Sequence, residues 1–430
     1  MAFSLTLAVY RLLLPFLFVA AFPGWVVKML RRGGFGTRLG ERAAIYQENT
    51  DFEPCGATHV HAVSVGEALL ALKLIRAWRE VDPDQCFVLA TGTSTGHDVA
   101  TAAGIPGLRV TYAPLDFRWM VRRYLRRFEP ARVVLVEGEA WPHLLLACRR
   151  RGIPVSLVNA RMSPRSARRY RKFAAVVRPL FGMLDKVAIQ QAEDAEVWRD
   201  LGVAAENIVL TGSLKFDPGA GRPVRRPEFH DMLEVFGRKP VVLAASTHAG
   251  EETWIANAIR SALPDALPVI VPRHAERRAE VRQALENDGH HVVLRSRFAE
   301  EGGHSDPRSV FVIDSTGELR DWTAHADIVL IGKSFLSTGG QNPAEAILAE
   351  KPVVFGPHME NFEPLASRLV DRGGALRAGN QEQLARAIRT TADPDHAGGM
   401  TREATAVLSV HEGAARRIIA LLAAPGSTSK

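Results

Sequence analysis

Cysteine is scarce. Only Cys55, Cys86 and Cys148 occur in 430 residues, and no two form a C-x-x-C. That excludes a disulfide framework and a cysteine zinc site, and points to a reducing compartment. The P-loop lysine is also missing. Thr91-Gly-Thr-Ser-Thr-Gly96 has glycines but no G-K-[ST], so it reads as a polar turn. No D-x-D-type metal motif is expected, and no short repeat recurs. Apolar runs are brief, with one exception. Leu12 to Val27 carries no charge, yet it contains Pro15 and Pro23 and is slightly short for a full bilayer span.

What is present is an ordinary globular composition, 47% hydrophobic and 23% charged. The length allows two domains, each with its own core. A net charge of +7 favours anionic partners: phosphate groups, an anionic leaflet or nucleic acid. The run from Leu12 to Val27 is followed by Lys28, Arg31 and Arg32. Basic residues on that side argue for a membrane-dipping or membrane-crossing anchor, with the rest of the chain on the cytoplasmic face. A signal peptide competes, but there is no A-x-A site and the basic cluster follows the run rather than precedes it.

From residue 57 onward, apolar runs alternate with amphipathic stretches. Strands are expected at His59–Val63, Phe87–Thr91, Arg109–Tyr112, Arg132–Val136, Val155–Asn159, Lys186–Ile189 and Ile208–Thr211. Helical patterns such as Ala68–Val81 and Phe117–Phe128 lie between them. After a Pro/Gly/Arg-rich segment, a second series is expected at Val241–Ala245, Val269–Val271, His291–Leu294, Val310–Ile313, Ile328–Ile331 and Val353–Phe355, with a last helix near Gly413–Leu422. This is βα repetition, hence two doubly wound parallel sheets. The expected division is an anchor at 1–32, a Rossmann-like domain at 33–213, a linker at 214–238 and a second Rossmann-like domain at 239–424.

Chemistry in such folds sits at the carboxyl ends of strands. Ser64-x-x-Glu67 follows the first strand and fits a capping box; Glu67 either only caps a helix or faces a cleft as a general base. Glu137 and Glu139 follow the strand Arg132–Val136, and Glu137, nearer the strand, is the better candidate. The stretch from Asn159 to Lys172 is strongly basic, with Arg161 and Arg165 at its start; it suits phosphate better than nucleic acid, because aromatic residues hardly interrupt it. The helix around Arg122, Arg123, Arg126 and Arg127 could lie on anionic lipid. Lys215, at the junction, can stabilise developing charge. In the second half four polar loops follow strands: Ser246–Glu252, Pro272-Arg273-His274, Asp314–Leu319 and Gly339–Glu345. In the last, Asn342 is expected as N-cap, Pro343 as the first helical residue and Glu345 as the capping-box partner. Together the loops suggest one nucleotide pocket.

Taken in order, HAVSVGE, EGEAWP, NARMSPRS, TGSLKFD, STHAGEE, PRH, DSTGEL, GGQNPAEA and GPHMENF resemble the 3-deoxy-D-manno-oct-2-ulosonic acid (Kdo) transferases, inverting glycosyltransferases of lipopolysaccharide inner-core synthesis. The resemblance covers nearly the whole chain. It implies the GT-B architecture, two Rossmann-like domains facing a cleft behind an N-terminal membrane-anchoring helix. It implies transfer of Kdo from CMP-Kdo to the 6′-hydroxyl of a phosphorylated tetraacyl lipid A precursor, on the inner membrane, without cofactor, metal or nucleic acid. Carried over residue by residue, Glu67 matches the general base, and Glu137 and Lys215 match positions that stabilise the transition state. Pro272, Arg273, Thr316, Gly317, Glu318, Asn342, Pro343, Ala344 and Glu345 match the CMP-binding segments. Arg161 and Arg165 would meet the acceptor. The chain departs from the family where Gly138 and Ala140 replace Thr and Leu, Gln341 a frequent His, Ala275 a Pro and Arg278 a Phe; these positions bear on the acceptor and on the number of Kdo units. The competing readings are another GT-B transferase, a sugar-nucleotide epimerase, or an inactive membrane-bound nucleotide- or lipid-binding protein.

Overall fold

The structure is a computed structural model that describes residues 2–31, 38–46, 56–138, 140–162, 164–217, 223–237, 239–303 and 306–423. Arg32, Glu139 and the middle of the expected linker lie outside these residues.

Two seven-stranded parallel sheets form the molecule. The first contains β1 (Thr58–Ala62), β2 (Phe87–Thr91), β3 (Leu108–Tyr112), β4 (Arg132–Val136), β5 (Val155–Ala160), β6 (Lys186–Ile189) and β7 (Ile208–Leu210). The second contains β8 (Val241–Thr247), β9 (Leu267–Pro272), β10 (His291–Leu294), β11 (Ser309–Val312), β12 (Ile328–Ile331), β13 (Val353–Phe355) and β14 (Leu376–Arg377). The central strands are buried end to end, which is why they read as continuous apolar runs rather than alternating ones. Thirteen strands match the expected runs to within a few residues; the two-residue β14 has too little pattern to be read from sequence.

Strand order places the sites. The first sheet runs β3-β2-β1-β4-β5-β6-β7, and the second β10-β11-β9-β8-β12-β13-β14. In the first, the chain winds outward from β1 through β2 to β3, then returns to β4 on the other side of β1. In the second, it winds away from β8 and returns to β12 beside it. Loops at the carboxyl ends of β1 and β4, and of β8 and β12, therefore diverge and leave a crevice in each sheet.

The chain divides into a unit of residues 1–217 and 413–430 and a unit of residues 218–412. This corrects the expected boundaries. Residues 413–424 do not belong to the second domain: the helix Ala414–Ala423 buries Ala415, Ile418, Ile419 and Leu422 in the first unit's core, with Leu72 and Ile75 of the helix Val65–Val81. Its amphipathic pattern announces a buried face but not which core receives it. The linker is also shorter than expected. Leu214 is fully buried in the first core, and Arg226 to Glu234 already pack on the second unit through Arg226–Asp321 and the stacked rings of Phe229 and Trp322.

The N-terminal helix Ala2–Arg31 keeps Pro15 and Pro23 inside one element. Its Tyr10 hydroxyl donates to Asp116 at 2.9 Å, and Phe18 meets Phe117 edge-on. Leu12, Phe16, Leu17 and Val19 are exposed. Among the described residues, no helix is long and apolar enough to cross a membrane.

Candidate active site

The first site is built at the carboxyl ends of β1 and β4. Ser64 caps the helix Val65–Val81, its Oγ accepting from the Glu67 N–H at 3.2 Å. The Glu67 carboxylate turns back as in a capping box, but it reaches the N–H of the residue before the cap rather than that of Ser64. It accepts from the Val63 N–H at 2.7 Å and from the Ser64 hydroxyl at 2.9 Å. The cap is therefore real. It also fixes this buried carboxylate at the mouth of the sheet.

Glu137 is the first residue after β4 and takes a left-handed backbone, φ 68°. Its N–H and carbonyl hold Val158 and Arg161, which draws Arg161 beside it. Burial raises the Glu137 pKa, the charge of Glu67 raises it further, and Arg161 and Lys215 oppose the rise. Burial lowers the Lys215 pKa, Arg161 adds to this, and Glu137 opposes it. Glu67, Glu137, Arg161 and Lys215, separated by up to 148 positions in sequence, thus share one electrostatic neighbourhood. Arg165 is exposed on the helix Pro164–Lys172 and enters none of these interactions.

Sequence reasoning missed the residues that assemble this cluster. Asn159, left-handed at φ 53° and buried, sends its amide nitrogen toward Glu137 at a long 3.5 Å. Its amide oxygen accepts from the Leu214 N–H at 2.9 Å, so it ties the Lys215 turn to β5. Lys73 donates to the Leu214 carbonyl at 2.7 Å and also to the Asp217 carbonyl. Lys73 sits on the helix that Glu67 opens, so one helix positions both the carboxylate and the lysine turn. Sequence offered one signal for this: Asn159 opens the basic motif at a strand end.

In the second unit, Ser246–Glu252, Pro272-Arg273-His274, Asp314–Glu318 and Gly332–Glu345 all leave the same edge of the sheet. Pro272 is the buried last residue of β9, and Arg273 after it is exposed. Thr316 and Gly317 are exposed, with Gly317 at φ 83°. Glu318 is partly engaged, accepting from the Ser315 hydroxyl and lying 3.6 Å from Arg295. The expected capping box at Asn342 is not formed as drawn. The helix starts one residue later, at Ala344, with Pro343 as its N-cap, and it spans only Ala344–Leu348. The proline ring holds Pro343 in the cap position, and Asn342 reaches the Ala344 N–H at 3.1 Å. Asn342 is exposed, Pro343 and Ala344 are buried and Glu345 is half-buried.

Two more corrections concern polar motifs. Thr91–Gly96 is not merely a turn, because Thr93 caps the helix Ser94–Ala102. The two D-x-D tripeptides of the chain, at Asp82 and Asp393, are helix ends: Asp82 closes the helix Val65–Val81 and Asp393 caps Pro394–Ser409. Among the described residues, no three His, Cys, Asp or Glu side chains group as a metal would need.

Comparison with known proteins bears on the family and the fold. A family profile described as 3-deoxy-D-manno-octulosonic-acid transferase (kdotransferase) matches residues 37–218. The chain is 36% identical to a 3-deoxy-D-manno-octulosonic acid transferase of Bordetella pertussis, over 84% of this chain and 85% of that one. It is 30% identical to one of Haemophilus influenzae, over 90% of each. Among solved structures, a UDP-GlcNAc 2-epimerase from Neisseria meningitidis bound to UDP-GlcNAc superimposes with a TM-score of 0.53 at 14% identity, covering 85% of this chain and 99% of that one. That last likeness is one of fold alone, and the fold is GT-B-like. The sequence likeness goes further: the chain belongs to the 3-deoxy-D-manno-octulosonic acid transferase family and is a glycosyltransferase.

Proposed function

We propose that this enzyme moves Kdo from CMP-Kdo to the 6′-hydroxyl of a phosphorylated tetraacyl lipid A precursor, with inversion and with Glu67 as general base. The observation that carries the reading is the gathering of Glu67, Glu137, Arg161 and Lys215 at the crevice of the first sheet. Glu67 takes the proton of the acceptor hydroxyl. The oxygen then bonds to the anomeric carbon as that carbon's bond to the phosphate oxygen breaks, and CMP leaves with the electron pair. A base aligned by two hydrogen bonds loses little orientation on reaching the transition state. Lys215 meets negative charge that develops on phosphate as the leaving group departs. Glu137, kept from swinging by its backbone contacts, orients Lys215 and Arg161.

The CMP moiety is assigned to Pro272, Arg273, Thr316–Glu318 and Asn342–Glu345. The exposed Arg161 and Arg165 are assigned to phosphates of the acceptor. The exposed apolar face of Ala2–Arg31, with Leu12, Phe16, Leu17 and Val19, is assigned to the inner membrane, with the catalytic units on its cytoplasmic side.

The test is to incubate the detergent-purified protein with CMP-Kdo and tetraacyl lipid A precursor and weigh the lipid. A mass increase of one or more Kdo units is expected, and Glu67→Ala should slow its appearance about 10²–10⁴-fold. A folded protein that leaves the lipid unchanged would direct attention to another transferase or an epimerase.

A further inference from the structure

The loop after β12 holds a lysine to which the mechanism above gives no role. Lys333 is half-buried and its backbone is left-handed, φ 55°. That conformation suits glycine, and the same loop uses glycine at Gly339 and Gly340, where φ is also positive. A side chain kept at such a position directs attention to what it does.

The surroundings hold Lys333 in place. Its N–H donates to Glu251 at 2.6 Å, and its carbonyl accepts from the Gly340 N–H at 2.9 Å. Glu251 is fully buried and also accepts from the N–H groups of His248, at 3.0 Å, and Phe335, at 3.1 Å. Glu251 thus joins the loop after β8 to the loop after β12, across the crevice of the second sheet. Both of its oxygens are occupied by backbone, so it serves as a clamp rather than as a counter-ion. The lysine side chain runs along the glycine turn: a β-carbon placed on Gly339 would lie 3.5 Å from Lys333 Cε.

Among the described residues, no carboxylate forms an ion pair with the Lys333 ammonium. Glu360, near the same turn, accepts from the Gly339 N–H and pairs with His358. His248 faces the lysine from β8, its own pKa lowered by burial first and by the Lys333 charge as well. The His274 ring lies 6.2 Å from that of His248. Imidazoles from two strand ends, His248 and His274, the latter 3.6 Å from Glu276, thus accompany an ammonium that no carboxylate among the described residues pairs.

We propose that Lys333 is a donor-binding residue whose ammonium contacts an anionic oxygen of the sugar nucleotide, on the phosphate or on the carboxylate of the sugar acid. This rests on the assignment of a CMP-activated sugar acid to the second unit. Glu251 acts through Lys333 as a positioning residue.

The experiment compares wild type, Lys333→Ala, Lys333→Gly and Lys333→Arg for KM of CMP-Kdo, KM of the lipid acceptor, affinity for free CMP by calorimetry, and Tm. The Ala and Gly variants should raise the donor KM about ten- to hundredfold and leave the acceptor KM in place, with Arg largely restoring the donor value. The Gly variant should melt at or above the wild-type temperature, which separates lost binding from lost folding. If affinity for CMP falls in parallel, the contact is to phosphate; if CMP binds as before while the CMP-Kdo KM rises, it is to the carboxylate. A donor KM unchanged within twofold in both Ala and Gly variants of an active enzyme overturns the role of Lys333 alone. A wild type that neither binds CMP nor uses CMP-Kdo overturns the donor assignment and this proposal with it.

Discussion

Glu137 shows how one residue can oppose stability while serving a site. Its left-handed backbone carries a conformational cost, and its burial and the charge of Glu67 work against an ionised carboxylate. Because its pKa is raised on folding, the stability it contributes is present at low pH and lost as pH rises through the folded value. Glu137→Gln should therefore raise Tm at pH 8, while transfer falls about 10²-fold because Lys215 and Arg161 lose their partner. Thermal melts beside initial rates would check both. His59 and His61 act in the opposite direction. They share one buried face of β1, and burial lowers their pKa values to about 3 and about 4. Among the described residues, neither ring nitrogen of His61 has a hydrogen-bond partner. A lowered histidine pKa gives stability that is present above about 6.5 and lost as pH falls toward 4. His61→Leu should flatten the decline of Tm across that window.

At the scale of the element, the turn that carries Lys215 is the joint of the first unit. Its backbone is held by Asn159 from β5 and by Lys73 from the helix Val65–Val81. At the turn's end, Asp217 accepts from the Gly413 and Ala415 N–H groups at 3.1 and 2.8 Å and so caps the helix Ala414–Ala423 from outside it. Asp217→Ala removes this cap and should cost about 1–2 kcal/mol. Asn159→Ala leaves the buried Leu214 N–H without its acceptor, at a cost of about 1–3 kcal/mol. The two variants differ in their kinetics. Asn159→Ala should also lower kcat, because Lys215 and Glu137 both lose their common support, whereas Asp217→Ala should mainly lower Tm.

For the whole molecule, the chain end is a structural part of the first unit. Arg417 donates to the Thr211 carbonyl, and Arg132 to that of Leu422. Ile418, Ile419 and Leu422 are buried there, each contributing about 1.5–3 kcal/mol. Their sum approaches the total stability of an ordinary domain, about 5–15 kcal/mol. A protein ending at Glu412 should lose amide-exchange protection in β1, β4 and β5 while β8, β9 and β12 stay protected. Equal protection in both sheets would show that the helix only decorates the surface.

The sequence by itself determined the local terms. Parallel strands buried on both faces must be apolar throughout, so Val133–Val136 and Ile328–Ile331 were readable as strands. A serine three residues before a glutamate specifies a cap through contacts within one turn, so the Ser64 cap on the Glu67 N–H was readable, whereas the return bond goes to Val63 rather than to the Ser64 N–H. The ordered motifs carried the family. Tertiary structure decided whatever depends on partners distant in sequence. It assigned the last helix to the first unit, because an amphipathic face accepts any apolar core that reaches it. It shifted the cap at Asn342 by one residue and gave Asn159 and Lys73 their clamping roles, since a buried amide or ammonium has no meaning until its acceptors are in place. It also brought Glu137, Arg161 and Lys215 beside Glu67, through strand order that side-chain pattern alone does not encode.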